Sequence, residues 1–107
     1  MKPMSHEDAA DLFHVLSHQG RLLILDELRK REACVCHLQA MLNRPQAYVS
    51  QQLRVLREND LVTDRKETTF VYYRLADAQV ERLLDDVLGP PGERVCVDNC
   101  QCPHCLE

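Results

Sequence analysis

The sequence has little of what several kinds of chemistry require. Three glycines in 107 residues are too few for a glycine-rich loop whose backbone amides cradle phosphates. No Ser/His/Asp arrangement offers a hydrolytic nucleophile, so neither enzyme activity nor a small-molecule substrate is expected. No apolar run approaches the roughly 18 residues of a membrane span, and Met1 to Asp8 lack the apolar core of a secretory signal. The chain is therefore expected in the cytoplasm, with no membrane partner. Internal repeats and low-complexity linkers are missing as well, and the length suits one domain with one core.

What the sequence does hold is cysteine. Six are present: Cys34 and Cys36 in the middle, and Cys96, Cys100, Cys102 and Cys105 within the last twelve residues. Disulfides are rare in a reducing compartment, where a thiol-rich sequence is more often metal-binding or redox-active. Cys102-Pro103-His104-Cys105 copies the active-site pattern of oxidising thioredoxin-like enzymes. That reaction needs a thioredoxin fold to lower the thiol pKa, and no such fold surrounds this motif.

Net charge is -4, which by itself argues against nucleic acid. Between Asn43 and Leu75, however, Arg44, Arg54, Arg57, Arg65, Lys66 and Arg74 outweigh Glu58, Asp60, Asp64 and Glu67. A weakly basic centre in an acidic chain can bind DNA by geometry and dimerisation more than by bulk charge.

Periodicity predicts a mainly α fold with a small β-hairpin. Ser5 caps a first helix over His6 to Leu16, carried by Ala9, Leu12, Phe13 and Leu16. Gly20 interrupts it, and Leu22, Leu25 and Leu28 mark a second helix running to a basic end. A short third helix spans Cys34 to Leu42, Asn43-Arg44-Pro45 breaks it, and a fourth spans Gln46 to Asn59 with Val49, Leu53 and Leu56 inward. Leu61 to Arg65 and Phe70 to Leu75 then read as strands of a hairpin with Arg65 and Lys66 at its tip. Asp77 caps a last helix, which Gly89-Pro90-Pro91-Gly92 ends.

Helix, tight turn, helix and hairpin make a winged helix-turn-helix. The polar face of the fourth helix carries Gln46, Ala47, Tyr48, Ser50, Gln51, Arg54 and Arg57. Gln and Arg can read base edges in a major groove, and Ser, Tyr and Arg can hold phosphates. Arg65 and Lys66 would touch the flanking backbone or minor groove of double-stranded DNA. His14, His18, Phe70, Tyr72 and Tyr73 are read as packing.

From Leu16 to Leu75 the chain resembles the ArsR/SmtB family of metal-responsive repressors, through "LSHQGRLLILDEL", "CVCHL", "QAYVSQQLRVLRENDLV" and "TFVYYRL". The resemblance covers roughly residues 6 to 89. It implies a homodimer, built from the first and last helices, that sits on operator DNA and lets go when an effector binds. Residues 1–89 are then the DNA-binding and dimerisation domain, and residues 90–107 a cysteine-rich tail.

The resemblance also assigns metal ligands. Cys34 and Cys36 match the Cys-x-Cys of the family's arsenic and cadmium or lead sensors, and thiolates suit As(III) or Sb(III) first and Cd(II) or Pb(II) next. His37 replaces a frequent Asp and is a possible additional ligand. Gln39 occupies the place of a third cysteine found in some arsenic sensors, and no cysteine precedes Cys34. Zn(II) sensors use an Asp-x-His and a later His-x-x-Glu, where this chain has Asp77-Ala78-Gln79 and then Pro90 and Glu93, so that site is expected to be absent. The tail can therefore supply a thiol to Cys34 and Cys36. Alternatively it holds its own Zn(II) with four cysteines, or with His104 in place of one. The remaining reading is a thiol-based redox or reactive-sulfur sensor on the same scaffold, with the tail as a disulfide switch.

The Cys-x-Cys spacing is awkward for a helix, since residues i and i+2 point about 200° apart. Near a helix start, where the backbone frays most easily, both sulfurs could reach one ion by distorting the first turn.

Overall fold

The computed structural model describes residues 3–93. Its elements are α1 (His6–Leu16), α2 (Gln19–Lys30), β1 (Ala33–Cys34), α3 (Val35–Leu42), α4 (Gln46–Glu58), β2 (Val62–Glu67), β3 (Phe70–Leu75) and α5 (Ala78–Leu88). The three strands form one antiparallel sheet in the order β1-β3-β2. Among the described residues no helix is long and apolar enough to cross a membrane.

Local signals set most boundaries. The Ser5 side chain accepts from the Asp8 amide at 3.1 Å, and one Asp77 carboxylate oxygen accepts from the Gln79 and Val80 amides at 2.9 and 3.1 Å. Each satisfies donors that the first turn of a helix leaves orphaned. Asn43 ends α3 in the left-handed region at φ 53°, a conformation asparagine tolerates better than most residues. Ile24, Leu25, Leu38, Leu53, Leu56, Leu61, Val80 and Leu84 are fully or almost fully buried where the helices meet.

Three expectations are corrected. Gly20 does not break the first helix: the chain turns at Ser17 and His18, and His18 caps α2 with extended backbone. Gly20 lies inside the first turn of α2, where a Cβ would collide with the Tyr48 hydroxyl. Helix α3 begins at Val35, not Cys34, because Cys34 is extended and pairs with Tyr72 of β3. The hairpin runs two residues further than expected, to Glu67 opposite Phe70, so Thr68 and Thr69 form its tip. Arg65 and Lys66 belong to the strand.

Gly20 yields a direct prediction. Gly20→Ala forces the Tyr48 ring aside and should cost on the order of 1 kcal/mol in chemical denaturation, the scale of mild overpacking. In a Tyr48→Phe background, where the colliding hydroxyl is gone, the cost should shrink, a coupling that a double-mutant cycle reads directly.

Candidate functional site

Helix α4 is sharply two-sided. Val49, Gln52, Leu53 and Leu56 are buried, and Gln46, Ala47, Ser50, Gln51, Arg54 and Arg57 are exposed. The buried Gln52 receives a 2.9 Å hydrogen bond from Arg21 Nε, and the same guanidinium donates to the Val15 carbonyl. This ties α4 to α2 and to the end of α1. Ala47, Ser50, Gln51, Arg54 and Arg57 line one open depression with Tyr73 of β3. Ser50, Gln51, Arg54 and Arg57, expected to face DNA, are thus gathered in one place, and Tyr73, expected only to pack, joins them; Gln46 is exposed outside this lining. Burial and the nearby Asp64 charge raise the Tyr73 pKa, with Arg57 opposing, so its hydroxyl remains a hydrogen-bond donor.

Tyr48 departs from that face. It is half-buried and reaches toward Gly20 and His18 at the start of α2, with the Arg44 guanidinium 5.3 Å from its ring centroid. Two of the basic residues are also differently employed than their charge suggests. Arg57 pairs with Asp64 at 3.1 Å, joining α4 to the wing. Arg65 forms ion pairs with Glu32 and Glu67 and lies 4.8 Å over the Tyr72 ring. Its hydrogen bonds to these two carboxylates raise its pKa. Arg54 is only loosely associated with Glu58, at 3.9 Å, and Lys66 is exposed.

The sulfur pair is the second feature. Because Cys34 is extended on β1 and Cys36 lies in the first turn of α3, the 200° splay of a continuous helix does not apply. The two sulfurs stand 3.0 Å apart. Cys34 is 3% exposed and packs with Tyr72, while Cys36 and Phe70 flank them half-buried. Cys36 stands in a disulfide here; once it is reduced, a single ion holding two thiolates at about 2.3 Å each would set them roughly 3.3 to 3.8 Å apart, so the two sulfurs need only move slightly apart to grip one soft ion.

His37 points the other way. Its ring is fully buried, and Nε2 lies 2.8 Å from Glu27 Oε1 on α2; Glu27 Oε2 in turn accepts from Lys30 Nζ at 2.9 Å. Burial opposes charge on Glu27, but the hydrogen bonds from His37 and Lys30 outweigh it, and the carboxyl pKa lies below its ordinary value. His37 therefore clamps α3 to α2, with one ring nitrogen occupied by a carboxylate. Among the described residues, no group of three or more Cys, His, Asp or Glu side chains converges as a metal site. Cys96, Cys100, Cys102, His104 and Cys105 lie outside the described residues.

A third feature is apolar. Met4, Ala9, Leu12 and Phe13 from the α1 end line a groove with Leu83 of α5. Phe13 is 57% exposed, and Val87 on α5 is 69% exposed.

Residues 18–64 match the family model described as bacterial regulatory protein, arsR family. The chain is 38% identical over 81 residues to the transcriptional repressor SmtB homolog of Synechocystis, a match covering 76% of this chain and 61% of that protein. It is 37% identical over 90 residues to the arsenical resistance operon repressor of Escherichia coli, covering 78% of this chain and 75% of that protein. Among solved structures, a homodimeric winged helix-turn-helix DNA-binding domain from Mycobacterium bovis superposes with a TM-score of 0.70 at 30% identity. That match covers 82% of this chain and 87% of the domain.

Proposed function

The chain belongs to the ArsR/SmtB family of bacterial regulatory proteins, and on that premise we propose that it is a dimeric repressor released from operator DNA by a soft metal or metalloid. As(III) or Sb(III) is the first choice of effector, with Cd(II) and Pb(II) next. The observation that carries this reading is the Cys34–Cys36 sulfur pair, 3.0 Å apart, with Cys34 on the strand that pairs with β3 of the wing and Cys36 in the first turn of α3. Two thiolates at one point select soft ions over Mg(II) or Ca(II). A relative named as an arsenical resistance operon repressor supports the choice of metalloid. Zn(II) as sole effector is less favoured, because Asp77 caps α5 and position 79 is glutamine where a zinc sensor would have histidine.

The remaining ligand is proposed to come from the tail cysteines, since the described residues supply only two sulfurs. Dimerisation is proposed across α1 and α5, whose exposed apolar residues would otherwise face water. Two copies of α4 would then enter successive major grooves, a geometry that depends on how the protomers are oriented. Effector binding need only favour a different orientation. A coupling of about 1 to 3 kcal/mol changes DNA affinity by about 5- to 150-fold.

The sulfur contact distance also favours a second reading, a sensor in which oxidants or persulfides act on the same cysteines. The test is an anaerobic titration of the reduced protein bound to promoter DNA from its own gene. Arsenite, antimonite, Cd(II), Pb(II) and Zn(II) are added separately, then peroxide and persulfide. Release by arsenite or antimonite at stoichiometric levels is expected. Release by oxidants with no response to any soft ion would replace the metal reading with the redox one.

A further inference from the structure

Arg44 belongs to the weakly basic central segment, yet its surroundings differ from those of the other basic residues near α4. Arg57 and Arg65 are held by carboxylates, and Arg54 has Glu58 nearby. Arg44 is exposed, sits in the turn immediately before Pro45 and α4, and among the described residues has no carboxylate within ion-pair distance. Its guanidinium is stationed 5.3 Å over the Tyr48 ring. Tyr48 is in turn fixed against the one position in α2 that has no Cβ to obstruct it.

Arg44 and Tyr48 line an open cleft with His18, Gln19, Gly20, Leu23 and Leu42. No acidic side chain is in that lining. The cleft adjoins the N-terminal end of α4, the end from which a recognition helix meets base edges. A cation beside that end faces the phosphates that border the groove.

We propose that Arg44, held over Tyr48, binds a DNA backbone phosphate and is a principal electrostatic anchor of the complex, with Tyr48 as its positioning platform rather than a base-reading residue. This rests on the reading of the chain as a DNA-binding protein. An arginine suits the role because its planar guanidinium can stack on the phenol ring and still present N–H donors to phosphate oxygens. Stacking also limits the side-chain freedom that binding would otherwise have to freeze. A phosphate contact carries no sequence information, so its loss should weaken specific and non-specific binding alike.

The experiment measures affinity against salt concentration for the full chain, using a duplex from the promoter of its own gene and a scrambled duplex of equal composition. Arg44→Ala should weaken both complexes about tenfold or more at low salt. It should also reduce the slope of log K against log salt by about 1 per protomer. Arg44→Lys should keep the slope while binding less tightly, because charge survives and the stack does not. Tyr48→Ala should weaken both complexes by removing the platform, and Tyr48→Phe, which retains the ring, should recover most of the affinity that Tyr48→Ala loses. An unchanged salt slope in Arg44→Ala, or a loss confined to the promoter duplex, overturns the proposal. Wild-type protein that binds neither duplex would overturn the DNA-binding reading itself, a result distinct from a normal wild type with an indifferent Arg44→Ala.

Discussion

Cys34→Ser and Cys36→Ser proteins should hold promoter DNA with near wild-type affinity and should no longer release it when arsenite is added. The 5- to 150-fold change in affinity expected of the wild type should fall to none in either variant. The reason is geometric: each variant removes one of two sulfurs that stand 3.0 Å apart, and hydroxyl oxygen is a poor ligand for soft ions. Neither residue lies on the exposed face of α4, so the DNA contacts themselves stay intact. The buried position of Cys34 makes its variant somewhat less stable, which a melting curve would register separately from release.

The same assay divides the readings of the tail. Replacing Cys96, Cys100, Cys102 and Cys105 together with serine should abolish arsenite release if a tail thiol completes the site. Full release in that protein would show that two central sulfurs suffice and that the tail serves another purpose. Single replacements would then identify which thiol matters.

The second large effect concerns stability. His37→Ala should destabilise the fold by about 2–5 kcal/mol, the combined cost of depriving a buried carboxylate of a hydrogen-bond partner and of deleting a buried ring. It leaves the Glu27 carboxylate buried with Lys30 as its remaining partner and opens a cavity where a fully buried ring had been. That is a large share of the 5–15 kcal/mol by which small domains are stable. Urea unfolding at neutral pH measures it. Since the Glu27 pKa is lower in the folded chain than its ordinary value, the unfolded state binds the proton more readily. The stability contributed by Glu27 is therefore complete above the ordinary glutamate pKa, about 4.3. It is lost as pH falls through the lower folded value. Glu27→Gln should flatten this acid limb of the stability profile, and an unchanged limb would show that Glu27 is not the group responsible.

Local sequence was enough for much of the architecture. Ser5 and Asp77 announced two helix starts because a capping side chain acts within three residues. Val49, Leu53 and Leu56 identified the buried face of α4, and hence its polar face, because helical period relates neighbours on the same element. The hairpin is legible through its β-branched and aromatic run, although its first strand runs two residues beyond that pattern, to Glu67. The Cys-x-Cys pair and the family resemblance followed from residues adjacent in the chain.

Tertiary structure decided what each of those residues can do. That Cys34 is extended depends on its pairing with Tyr72, far along the chain, and this pairing brings together two sulfurs that a continuous helix would separate. His37 acquires a clamping role that its sequence neighbours do not announce, because Glu27 of α2 lies opposite it. Arg57 and Arg65 lost their free charge to Asp64, Glu32 and Glu67, while Arg44 kept its own. Spacing and propensity operate over a few residues and can be read from the sequence, whereas ion pairing, burial and ligand geometry depend on distances between elements that only the packed chain fixes.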